Sequence, residues 1–334
     1  MSAGSHRENP AHGRRTRPPK ASGRRRKPSP SAGLRSTGLE CGPPLKCVFL
    51  AVVFLGLVLA TSQASAITGG QLDGNGHPNA GAWVYYDPNG LSLISQQLGP
   101  GPLFPGSTVL VHERVALTAG HAIANVQSYI DAGLADEADI PRVLFVTFNP
   151  DALAVSDYRP VARIEGIYTV STNRSGKNTR NVIDEIDIGA IVLANAATDI
   201  APPVLPSRGF LASRPRSERR ADQYEVVGYG STGGANSKDP GLFAYGQRRV
   251  GTSPQFLKIL GNFVLFQEDT HAGHSGGCFG DSGGPIFLVD VTTGDRILIA
   301  QTSQGPSFCT SVAEPFRLDI SESLGFIQGQ IDSL

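Results

Sequence analysis

Beyond residue 66 the chain is a succession of short apolar runs closed by Gly, Pro, Asn and Asp. Runs rich in β-branched and aromatic residues occupy 82–86, 108–111, 115–118, 143–148, 161–170, 188–193, 224–228, 285–289 and 297–301. Apolar segments of this length, bounded by turn residues, predict β-strands. Only 321–331 has helical spacing, with apolar residues at Leu324, Phe326, Ile327 and Ile331. Many short strands without long helices between them predict an all-β protein, a sandwich or barrels. Pro202-Pro203, Pro206 and the Arg-rich stretch 208–220 read as a connector between two halves, and the very polar 171–181 as an exposed loop.

The first 66 residues follow a different pattern. Residues 1–46 are rich in Arg, Pro, Gly and Ser and lack the apolar residues a core needs. The run 47–60 is uncharged and apolar, and Ala64-Ser65-Ala66 offers a small-x-small site. A basic region, a short apolar segment and such a site predict a secretory signal peptide. The apolar run is short of the roughly 20 residues that a membrane-spanning helix requires. An uncleaved membrane anchor is the alternative.

Charge sharpens this division. The 334 residues carry 29 Lys/Arg and 29 Asp/Glu, but residues 1–66 hold 11 basic and 2 acidic side chains. The leader is therefore strongly basic and the remainder acidic. The basic run lacks interleaved aromatics and precedes an export signal, so no nucleic-acid partner is expected. Four cysteines, two on each side of the division, are too few for a disulfide-built scaffold and form no zinc pattern.

The strongest chemical signal is Cys278-Phe279-Gly280-Asp281-Ser282-Gly283-Gly284-Pro285. A serine ringed by glycines leaves room for a substrate carbonyl and for backbone N–H groups aimed at one point. The string also fits the nucleophile elbow of α/β-hydrolases, but that fold places its His after the Ser and no His follows Ser282. The base must come from upstream. His121 ends Val115-Ala116-Leu117-Thr118-Ala119-Gly120-His121, which puts an imidazole at a strand end with space around it. Asp187 opens the apolar run 187–193 and is the carboxylate placed to orient that ring. Asp184 and Glu185 are its competitors in the polar loop.

The order His121, Asp187, Ser282 and the strings LTAGH, DIGAIVL and CFGDSGGP resemble the trypsin/chymotrypsin-like serine protease family across 67–334. The resemblance implies two packed antiparallel Greek-key β-barrels, about 67–200 and 201–334, with a C-terminal helix. It implies a secreted or extracytoplasmic serine endopeptidase that is a monomer, acts on a protein or peptide substrate and needs no cofactor or metal. Membrane contact is limited to the export machinery through the signal peptide. The Gly280 and Ser282 amides would hold the oxyanion. Ile67-Thr68-Gly69-Gly70 resembles the family's mature N-terminus, whose amino group would pair with Asp281. Because Ala66 abuts Ile67, signal-peptide removal itself would free that amine. Ser303, in Thr302-Ser303-Gln304-Gly305, resembles the segment lining the substrate cleft. Cys278 and Cys309 match the bridge beside the primary pocket.

The chain departs from the family in places. Gly106 and Ala122 stand where a disulfide often brackets the histidine, and Gly120 replaces the usual Ala before it. The stretches 86–106 and 122–160 are long. At the pocket base stand Gly276 and Gly277, with Ser303 and Gly305 on the wall. This implies a roomy neutral slot for bulky apolar side chains, unless Glu314 restores a preference for basic ones. A non-catalytic binding module on the same fold is the rival reading. His271 and His274 read as loop histidines rather than metal ligands, Asp131, Asp136, Glu137 and Asp139 as a solvated acidic face rather than a calcium site, and Trp83 and Tyr229 as core.

Overall fold

The computed structural model describes residues 67–169, 184–232, 246–306 and 309–334. The basic leader, the apolar segment with its cleavage site and the polar loop 171–181 lie outside the described residues.

Strand β1 (Gln71–Leu72) is followed by six strands that close into an antiparallel barrel. These are β2 (Ala80–Tyr85), β3 (Leu103–His112), β4 (Val115–Thr118), β5 (Leu144–Thr147), β6 (Arg159–Tyr168) and β7 (Asp187–Leu193), in the order β2-β3-β4-β7-β6-β5. The second half contributes β8 (Gln223–Gly228), β9 (Arg249–Gly251), β10 (Gln255–Leu260), β11 (Phe263–Gln267), β12 (Pro285–Val289), β13 (Arg296–Gln304) and β14 (Val312–Arg317). With β1 they form an eight-stranded antiparallel sheet, β1-β9-β8-β12-β13-β14-β11-β10. The all-β expectation thus takes the form of a closed barrel beside a second antiparallel sheet. The first strand among the described residues belongs to the second sheet, not to the barrel that follows it.

The apolar runs are continuous because several strands are buried on both faces. Side chains alternate across a strand, so neighbours serve different cores. In β4, Val115 and Leu117 enter an apolar seam shared with Phe263, Phe287 and Phe316 of the second sheet, while Ala116 faces the barrel interior around Trp83 and Val146. β7 divides in the same way, with Ile188 and Ala190 in the seam and Ile191 and Leu193 inside the barrel. The expected C-terminal helix is present (Ser321–Asp332), and Ile327 packs into the seam.

That helix is not alone, contrary to expectation. Helix α1 (Leu93–Leu98) fills the long 86–106 stretch, and α2 (Gly120–Asp131) and α3 (Ile140–Val143) lie within 120–160. The connector carries α4 (Phe210–Ser213) and α5 (Arg216–Ala221), so the C-terminal helix is α6. In α2, Ile123, Val126 and Ile130 recur at helical spacing and pack on the barrel core. Trp83 is fully buried there, and a side chain at Gly106 would meet its Nε1 at 2.6 Å, so this position has no room for a cysteine.

Candidate functional site

The antiparallel pairing of β4 with β7 brings two chain ends together. Thr118, the last residue of β4, pairs with Gly189, near the start of β7. The chain leaving β4 turns directly into α2, so His121 is the second residue of a helix and not the end of a strand. Its neighbour explains the Gly at 120: a Cβ there would lie 2.2 Å from the Ile167 carbonyl oxygen. Only a glycine lets the helix start this close to β6 and β7.

Asp187 is fully buried at this junction. Its Oδ1 accepts the His121 backbone N–H at 2.8 Å, satisfying one of the unpaired donors of the helix start. Its Oδ2 lies 2.9 Å from His121 Nδ1 and also accepts the Ser303 hydroxyl. Gln301 Nε2 holds the Asp187 and Thr118 carbonyls at 2.8 and 3.0 Å. An ionised carboxylate only accepts, so Nδ1 carries the ring proton and Nε2 presents a lone pair. That Nε2 is 2.9 Å from Ser282 Oγ. His121, Asp187 and Ser282 therefore form one continuous hydrogen-bonded chain across the seam. Asp184 and Glu185 do not enter it.

The turn carrying Ser282 is fixed from both halves. The Ser282 carbonyl accepts from the Ser107 N–H at 3.1 Å, and the Ser107 hydroxyl donates to the Gly280 carbonyl at 3.1 Å. Gly283 and Gly284 exchange 2.8 Å backbone bonds with Thr302. Among the described residues, none accepts a hydrogen bond from the Gly280 or Ser282 amide, which remain available to a ligand oxygen. Asp281 is fully buried, and its carboxylate accepts the N–H groups of Cys278 and Gly230, each at 2.8 Å. Burial pushes its pKa up to about 7, against the lowering effect of these N–H groups and that of Ile67. Ile67 is itself fully buried, and its backbone sits at φ +56°, in the left-handed region. Cys278 and Cys309 are joined by a disulfide that braces the turn against the loop after β13.

No protein-family model matches the chain, and no curated protein matches it. What the site can do rests on its own geometry.

Beside the His121–Ser282 pair opens a cavity of ≈310 Å³. Gly277, Ser303 and Gly305 line it, with Phe279 and Tyr168 at its sides. Gly276 and Glu314 do not line it; the acid in the wall is Glu268, which the sequence reading did not single out. The one signal for it is an apolar strand, β11, running without turn residues into an acid. His271 stands exposed and His274 bonds the Ser253 carbonyl, and among the described residues no cluster of His, Cys, Asp and Glu is arranged to hold a metal. The acidic stretch is partly absorbed by the fold: Asp139 is buried and pairs with Arg142. Tyr229 is fully buried, its hydroxyl donating to the Asn149 carbonyl at 2.9 Å. Among the described residues, no helix is long and apolar enough to cross a membrane.

Proposed function

We propose that the protein is a serine endopeptidase of the trypsin-like kind, secreted and acting on protein or peptide substrates. The observation that carries this reading is the unbroken chain from Asp187 through both ring nitrogens of His121 to Ser282 Oγ, with both links at 2.9 Å. Ser282 Oγ attacks the scissile carbonyl carbon as its proton passes to His121 Nε2. The Gly280 and Ser282 amides receive the oxyanion. Asp187 holds the ring tautomer and offsets the imidazolium charge. The C–N bond then breaks as His121 returns the proton to the leaving amine. Water, deprotonated by His121, attacks the acyl ester, and the proton goes back to Ser282. No cofactor takes part in this scheme.

Maturation completes the proposal. Removal of a signal peptide after Ala66 would give Ile67 a free amino group beside Asp281, the buried carboxylate that fixes the oxyanion turn. The amine would supply the cation that this carboxylate needs to remain ionised.

A fluorophosphonate probe tests the reading. We expect it to label the protein, and Ser282→Ala to abolish labelling and lower peptide hydrolysis by about 10³-fold or more. Folded wild-type protein that takes no label would leave the non-catalytic binding module as the better reading. N-terminal sequencing of secreted material should begin at Ile67.

A further inference from the structure

The cavity beside Ser282 has an acidic wall that the sequence pattern did not lead us to expect. Glu268 directly follows β11 and is only 3% exposed, yet it lines this cavity together with Gly277, Ser282 and Ser303. Its backbone N–H donates to the Ser311 carbonyl at 2.7 Å, which pins its position against the loop that follows the disulfide. Its side chain reaches the space that a residue at 276 would otherwise fill. A Cβ on Gly276 would fall 2.1 Å from Glu268 Oε2. The glycine at position 276 thus leaves room for an acid supplied by the residue that follows β11.

Among the described residues no cation pairs with this acid. Among the described residues, the one charged group acting on it is Asp281, of the same sign, and its hydrogen bond comes from the Gly277 N–H. Burial pushes its pKa up to about 8. Burying this carboxyl group beside another without a basic partner of its own is unfavourable unless something else supplies the positive charge. The cleft offers a cation a route to it, because Glu268 lines the cavity beside Ser282.

We infer that Glu268 determines specificity in this cleft, and that the preferred substrate carries Lys or Arg immediately before the scissile bond. The inference rests on the peptidase reading of the same site. The incoming ammonium or guanidinium meets the carboxyl at the pocket wall, and Glu268 ionises as the pair forms. An apolar side chain leaves the acid unmatched, and its binding lacks that gain.

The test uses protein produced from the full-length chain, with benzamidine as an amidinium probe and calorimetry as the readout, which requires no turnover. Benzamidine should bind the wild type, and Glu268→Gln should weaken it by about 30-fold or more, the effect of removing one partner of a buried charge pair. In parallel, matched fluorogenic peptides with Arg, Lys, Leu or Phe before the cleaved bond should show wild-type kcat/KM highest for the two basic residues. Glu268→Gln should collapse the ratio of basic to apolar hydrolysis. Absence of benzamidine binding, equal binding by the variant, or a wild-type preference for Leu, Phe or a neutral amide would overturn the inference. Fluorophosphonate labelling separates the two readings. Label without benzamidine binding sinks the basic preference alone, and benzamidine binding without label sinks the peptidase reading alone.

Discussion

Glu268 has a stability consequence of its own. An acid whose pKa is raised on folding binds its proton more tightly in the folded chain, so folding stability falls as pH rises between the two pKa values. For Glu268 that window runs from 4.5 to about 8. Glu268→Gln removes the penalty. The variant should match the wild type below pH 4.5 and become more stable above it, by roughly 3 kcal/mol at pH 7. Melting curves at pH 4.5 and pH 8 read this directly. The candidate nucleophile, base and orienting acid were legible because each lies beside a distinctive string of small residues. Glu268 was not, because its relation to Ser282 arises from the contact of its side chain with Gly276 and Gly277 and leaves no local spacing to recognise. Counting along the chain pointed to Glu314 instead, on β14, but that strand reaches the cavity wall through Ala313 and Pro315 and not through Glu314.

At the scale of elements, strands buried on both faces were the most readable, since β4, β7 and β12 are uninterrupted apolar runs. The hairpin of β10 and β11 was missed although its two strands flank Gly261-Asn262, a two-residue turn signal. The strand β14 was obscured by Pro315 within it. Helix α2 was hidden because a strand runs into it with a single residue between, so the change of period from two to 3.6 falls on Gly120 and His121. That junction is also a point of fragility. Gly120→Ala would drive a methyl group into the Ile167 carbonyl and the Ile188 amide, backbone atoms that cannot rotate away. We expect a loss of about 1–3 kcal/mol or more, visible as a lower melting temperature, and weaker probe labelling because His121 shifts with the helix start.

Across the whole molecule, the segment before the barrel is tied to the second sheet by a buried ionic cluster. His77 lies between Asp73 (2.6 Å) and Glu225 (2.9 Å) and stacks on Phe287. Arg248 pairs with Asp73 at 2.9 Å and Arg296 with Glu225 at 2.6 Å. Burial works against charge on His77, but its bonds to the two acids outweigh it and raise its pKa. Burial likewise pushes Glu225 up, but the hydrogen bonds from His77 and Arg296 prevail and hold it at about 2. The histidine contribution is complete below its unfolded value of 6.5 and is lost as pH rises through the raised folded value. The Glu225 contribution is complete above 4.5 and is lost as pH falls toward 2. The cluster therefore stabilises most between pH 4.5 and 6.5. The melting temperature of His77→Gln should trail the wild type most in that interval, and the gap should narrow as the solution becomes alkaline. A gap independent of pH would mean that His77 contributes by packing on Phe287 alone.

The left-handed backbone of Ile67 bears on how such a protein would be switched on. A β-branched residue held at φ +56° carries strain of roughly 1–3 kcal/mol. That torsion is defined by the peptide bond preceding it, and a residue that begins a chain has none. A cut immediately before Ile67 would discharge the strain at the moment it creates the amine, and rejoining the bond would have to restore it. In that scheme one isoleucine would act as a ratchet, tilting maturation in a single direction.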